Sequence, residues 1–151
     1  MSMVDITAKP EVMRVAVAEG TIRLRGETIQ AIREGRVKKG DVITAAKLAA
    51  VNAVKKTPEL VFLAHPIPIT DVEVSIRLEE ETSQVRSRVT VKSVGKTGVE
   101  LEAVLGVMAS LLTIFDMCKY LEKDERGQYP VTVISDIRVV EKVKREVAGA
   151  E

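Results

Sequence analysis

Two hydrophobic periods alternate along this chain. Val15, Val17, Ile22 and Leu24 recur around Glu19-Gly20 at the spacing of a strand, which predicts extended chain or a hairpin from Val12 to Leu24. From Glu27 to Glu34 the period lengthens, with Ile29 and Ile32 on one side of a short helix that ends at Gly35. A second helix follows from Asp41 to Lys56. Its Val42, Ala45, Ala46, Ala49 and Ala53 keep helical spacing, and Thr57-Pro58 stops it. So many alanines let another backbone approach closely. Leu60 to Ile69, LVFLAHPIPI, reads as an apolar loop with two prolines. Val72 to Leu78 and Val85 to Val94 alternate again around the polar EEETSQ, which predicts an antiparallel hairpin with one wet face. Gly98 to Lys123 is a long helix, and Val131 to Val143 a last strand. This order predicts an α+β fold, a ferredoxin-like sandwich in the broad sense, with an antiparallel sheet and helices on one face.

The 151 residues suit one domain, 1–151, with flexible ends at 1–11 and 145–151. Apolar residues are 46% and charged residues 30%, the balance of a soluble globular chain. The net charge is +1, from 23 basic and 22 acidic side chains, so no broad basic field favours nucleic acid or a membrane surface. The absence of Trp, with only two Tyr and two Phe, argues against a base-stacking platform too. Cys118 is the only cysteine, so no intramolecular disulfide can form, as expected in a reducing compartment. The start, MSMVDITAK, has no apolar signal core. The uncharged run Ala103 to Phe115 falls short of the roughly 20 residues of a membrane span. These points together predict a cytoplasmic protein.

The candidate chemistry concentrates on the long helix. Glu100 and Glu102 stand near its start, Asp116 and Lys119 near its end, and nothing between Ala103 and Phe115 is charged. Ionised groups on so apolar a helix are costly to bury unless paired or used. Glu100 and Glu102 suit the helix dipole as well as a site. On a regular helix they point about 200° apart, so they meet at one point only if the helix begins between them. Asp116 and Lys119 can pair at i, i+3, and the preceding SLLTIF argues for partial burial of Asp116. Glu102 and Asp116 share a face but lie about 21 Å apart, too far for one small substrate in one subunit. Either two subunits combine at each site, or the ends belong to separate sites.

Three loops add candidates. His65, the only histidine, sits in Ala64-His65-Pro66; a rigid Pro-bounded loop favours a placed acid, base or donor over a packed ring. Lys38-Lys39-Gly40-Asp41 precedes a helix, with Asp41 a plausible N-cap and Lys39 beside an anion-attracting terminus. Gly95-Lys96-Thr97 looks like a phosphate loop, but Thr90 stands where a Walker A motif needs its first glycine. It reads instead as a strand-to-helix turn. No cluster of ligands suggests a bound metal.

Taken together, Met3 to Lys9 (MVDITAK), Lys39 to Val42 (KGDV), Leu63 to Pro66 (LAHP), Gly95 to Ala103 (GKTGVELEA) and Thr113 to Lys119 (TIFDMCK) resemble the MoaC-type cyclic pyranopterin monophosphate synthases of molybdenum-cofactor biosynthesis. The resemblance spans Met3 to about Val140. It implies a ferredoxin-like subunit in a homohexamer, a trimer of dimers with active sites at a dimer interface. It implies rearrangement of a 3′,8-cyclised dihydro-GTP to cyclic pyranopterin monophosphate with release of pyrophosphate. It further implies Asp116 as the catalytic aspartate, Lys119 and Lys39 as acid–base or phosphate-binding groups, and substrate contacts from Leu63, Ala64, His65, Leu101 and Glu102, with Glu100 nearby. No protein-bound cofactor is implied, although Mg²⁺ can accompany the triphosphate.

Two departures stand out. Ala64 takes a place where the family commonly has Cys, so the thiol is dispensable. The Gly/Lys-rich tail of some members is replaced by VVEKVKREVAGAE, where Lys142 and Lys144 are the nearest cations. The rival readings are a nucleotide-binding or NTPase-like module built on Gly95-Lys96-Thr97, and a non-catalytic oligomeric scaffold.

Overall fold

The computed structural model describes residues 1–147. Its elements are β1 (Val12–Arg23), α1 (Gly26–Arg33), α2 (Val42–Lys55), α3 (Thr57–Leu60), β2 (Ile69–Glu79), β3 (Gln84–Gly95), α4 (Glu100–Glu122) and β4 (Val133–Arg145). The strands form one antiparallel sheet in the order β2-β3-β1-β4. That is the arrangement of a split β-α-β sandwich, and the expected α+β, ferredoxin-like class holds. α2 and α4 pack on each other and on the sheet.

Val12 to Leu24 is a single strand rather than a hairpin. Glu19-Gly20 looks like a turn in sequence, but Gly20 is there for space. On β4, Asp136 and Ile137 together face Gly20 where the register shifts, with Asp136 at φ 57°, a bulge of two residues against one. A methyl at Gly20 would stand 2.8 Å from Ile137 Cγ1, 2.9 Å from Val107 Cγ1 and 3.0 Å from Leu111 Cδ1. The missing side chain is the seat into which β4 and α4 both press.

The end of the second helix also differs from the reading of one helix followed by loop. Thr57-Pro58 ends α2 and also starts the one-turn α3, because proline is tolerated in a first turn. The Thr57 hydroxyl donates back to Ala53 O (3.0 Å) and Val54 O (3.1 Å), closing the corner. The alanines do what their size allows. Ala46, Ala50 and Ala53 are buried on α2, and Val54 of α2 reaches Gly106 of α4, where a Cβ would lie 3.1 Å from both Val54 and Val89. α4 is long and apolar enough by composition to cross a membrane, yet half of its apolar stretch is buried here, against the sheet and α2. Its Ala103, Val107, Leu111 and Ile114 are fully buried. Burying each Val, Leu or Ile there contributes roughly 1.5–3 kcal/mol.

Both ends of α4 are anchored. Glu122 is fully buried, and its carboxylate accepts from Arg25 N (3.0 and 3.2 Å), Thr132 Oγ1 (2.8 Å) and Thr28 Oγ1. Arg25 offers no side-chain cap to α1, so a carboxylate from another helix caps it instead. Cys118 packs one turn earlier. Its thiol is pushed up to about 12 by burial, with the Glu122 charge adding to the effect, which makes it an inert core group.

Candidate active site

The first turn of α4 opens onto a cleft of about 370 Å³. Leu63, Ala64, His65, Glu100, Leu101 and Glu102 all line it, so six of the nine expected site residues come together here. The segment before β1 forms a further wall. Met3, Val4 and Lys9 line the cleft, Val4 O lies 2.7 Å from His65 Nε2, and Thr7 O accepts from Lys96 Nζ at 3.0 Å. Lys96 is therefore engaged with this segment and is not the cation of a phosphate loop.

Glu100 and Glu102 do face one cleft, against the divergence of about 200° expected on a regular helix. Val99 still has non-helical dihedrals, so Glu100 is the first helical residue. Its long side chain folds back over Gly98, where any Cβ would overlap its carboxylate. Lys142 Nζ of β4 meets Glu100 Oε1 at 2.6 Å. Burial opposes ionisation of Glu100, but Lys142, with Arg14 in support, outweighs it and holds the carboxyl below its ordinary range. Glu102 is the reverse case. It is 2% exposed, its Oε1 has no hydrogen-bond partner among the described residues, and its carboxyl is raised by burial with the Glu100 charge adding. Two carboxyls two residues apart are thus driven in opposite directions by what surrounds them.

The other three expected residues, Lys39, Asp116 and Lys119, meet at the far end of α4. Lys39 Nζ donates to Asp116 Oδ1 and to Asp116 O, each at 3.0 Å, and Lys119 Nζ lies 3.4 Å from Asp116 Oδ1. Hydrogen bonding from Lys39, reinforced by Lys119, holds the Asp116 carboxyl below its ordinary value. The partial burial expected for Asp116 is wrong. Its side chain is 56% exposed, because the phase of α4 that buries Ile114, Met117 and Cys118 turns residue 116 to solvent. Asp41 is the N-cap of α2, accepting from Thr44 N at 3.0 Å. Lys39 beside it reaches towards Asp116 rather than the start of α2.

Within one chain, then, the candidates form two clusters separated by the uncharged middle of α4. Two residues outside the expected site set, Arg14 and Lys142, stand beside the first cluster. Arg14 is buried, donates from Nε to Gly95 O at 2.9 Å, and adds positive field at Glu100. Its signal was present, since Arg14 falls in the inward register of Ala16, Ala18 and Ile22 on β1. Lys142 owes its place to the pairing of β4 with β1, which sets it opposite Ala16. Among the described residues no three His, Cys, Asp or Glu side chains are grouped to hold a metal.

The MoaC family profile matches residues 3–144. Three archaeal relatives carry the name "Probable cyclic pyranopterin monophosphate synthase". The one from Archaeoglobus fulgidus is 60% identical over 142 residues, covering 94% of this chain and 90% of the relative. That from Methanosphaerula palustris is 58% identical over 151 residues, covering 95% and 92%. That from Aeropyrum pernix is 58% identical over 144 residues, covering 95% and 96%.

Proposed function

The chain belongs to the MoaC family, and from that premise we propose that it is a lyase of molybdenum-cofactor biosynthesis that converts 3′,8-cyclised dihydro-GTP to cyclic pyranopterin monophosphate and pyrophosphate. The observation that carries this reading is the division of the charged groups between the two ends of α4. A half-enclosed cleft with a partnerless buried carboxylate oxygen suits the heterocyclic half of such a substrate. Two ammonium groups around one carboxylate suit its phosphates and its proton transfers.

The residue roles follow from their surroundings. Asp116, held ionised by Lys39 and Lys119, accepts protons as the ring system rearranges. Glu102, kept protonated further up the pH scale, is suited to donate one. Ring closure of the phosphate has a ribose-derived hydroxyl attack the α-phosphorus. The bond to the β-phosphate oxygen breaks, pyrophosphate leaves, and Lys39 and Lys119 stabilise the charge that develops. Mg²⁺ would travel with the triphosphate rather than sit in a protein cage. Leu63, Ala64, His65 and Leu101 shape the wall against which the substrate ring lies.

Glu102 and Asp116 are about 21 Å apart along the helix, so one small substrate does not touch both in a single chain. The reading therefore joins two subunits at each site, one subunit's cleft meeting another's Lys39-Asp116-Lys119, and the family resemblance implies that they assemble as a homohexamer, a trimer of dimers. A GTP-derived substrate and a lone buried thiol fit a cytoplasmic enzyme. The test is incubation of pure, assembled protein with the cyclised precursor. Pterin and pyrophosphate should form together. Assembled protein that yields neither would overturn the assignment.

A further inference from the structure

The turn that carries Lys39 is held by a residue with no part in the chemistry above. Lys38 N–H donates to Tyr120 Oη at 2.8 Å, and Lys38 Nζ lies 5.4 Å from the centroid of the same ring. The turn itself closes through Gly40 N–H to Val37 O at 3.1 Å, with Gly40 at φ +120°, a conformation that favours glycine. Tyr120 follows Lys119 directly and lies one helical turn beyond Asp116. One aromatic side chain thus fixes the main chain at residue 38, and the next residue delivers its ammonium to Asp116. That fixing has work to do. The Lys39 and Asp116 side chains are 47% and 56% exposed, and a solvated ion pair on so flexible a stem is worth little by itself. The geometry of the pair has to come from the backbone that carries Lys39.

We propose that Tyr120 is a positioning residue for the Lys39–Asp116 pair, its phenol oxygen and ring clamping the Lys38-Lys39 turn against α4. The catalytic consequence rests on the acid–base reading of Asp116 given above, whereas the clamp itself does not.

Two measurements on the full chain test it: turnover at saturating cyclised precursor, and titration of the Asp116 carboxyl by carbon NMR. The charged groups that face Asp116 are Lys39 from the turn and Lys119 from α4 itself. Tyr120→Phe removes the acceptor and keeps the ring; Tyr120→Ala removes both. The phenylalanine variant should lose roughly 2- to 10-fold in turnover, the worth of one hydrogen bond. Its Asp116 should titrate higher than in the wild type as Lys39 loosens, and the alanine variant should shift further. An Asp116 titration unchanged in both variants would overturn the proposal, even if turnover fell. A shifted titration with normal turnover would uphold the clamp and overturn its catalytic consequence. Normal turnover in Asp116→Asn would instead strike the acid–base reading, and the titration would still report whether the clamp exists.

Discussion

The two ends of α4 carry the same kinds of side chain in opposite surroundings. At the first turn, Glu102 is sealed beneath a cleft and its carboxyl is raised by lost hydration. At the last turns, Asp116 stands in water between two ammonium groups and its carboxyl is lowered. Desolvation acts on the first and pairing on the second, so one helix moves two of its carboxyls in opposite directions. The costs differ as well. A buried partnerless carboxyl weighs against folding, whereas an exposed, paired one is nearly neutral for stability. Natural sequences accept the first kind of cost where a ligand later satisfies the group.

The comparison breaks most visibly through Asp116. Asp116→Asn should lower turnover by roughly 10²- to 10⁴-fold, the usual worth of a positioned acid or base, while assembly and melting stay near wild type. Mixing inactive Asp116→Asn and Glu102→Gln subunits should restore part of the activity if the two ends serve shared sites. Verified mixed oligomers that remain dead would make the ends independent. Next in size is the seat beneath the uncharged middle. Gly20→Ala should destabilise the chain by about 1–3 kcal/mol in urea unfolding, because Ile137, Val107 and Leu111 already fill the space. A variant as stable as wild type would mean that α4 is not anchored there.

The smallest effect has the clearest sign. Glu102 titrates above its ordinary 4.5 in the folded chain, so the folded state keeps a proton that the unfolded chain gives up. Its contribution to stability is fully present below about pH 4.5 and is lost as pH rises through the folded value. Glu102→Gln escapes that loss, so its melting temperature should gain on wild type as pH rises through this window. Asp116 titrates below its ordinary 3.8, so its contribution is present above that value and lost as pH falls through the folded one. The gap between wild type and Asp116→Asn should therefore close on acidification. Two melting curves moving the same way with pH would refute the contrast between the ends.

Periodicity was enough to recover the strands and the long helix, because strand alternation and helical spacing are local properties; Leu63, Ala64 and Leu101 joined the candidates only through the family resemblance. The Lys39–Asp116 contact joins residues far apart in sequence and needs the α1–α2 turn folded against α4, which no spacing rule conveys. Glu100 escaped the regular-helix argument because its long side chain folds back over Gly98, a turn of the carboxylate that the direction of its Cβ does not convey. Gly20 was misread because a glycine that yields space and a glycine that makes a turn look alike in one dimension. Arg14 could have been found from its inward register alone. Tyr120 left no such trace, since an exposed tyrosine near a helix end is ordinary until its partner is known.

The unbroken run of α4 also turns residue number into angle. One residue inserted between Ala103 and Phe115 would rotate Asp116 by about 100° relative to Glu102 and slide it about 1.5 Å along the axis. Lys39, tied to its own turn, could not follow. Over evolutionary time this helix is free to exchange one apolar residue for another, but it can neither gain nor lose one without disassembling the chemistry at one of its ends.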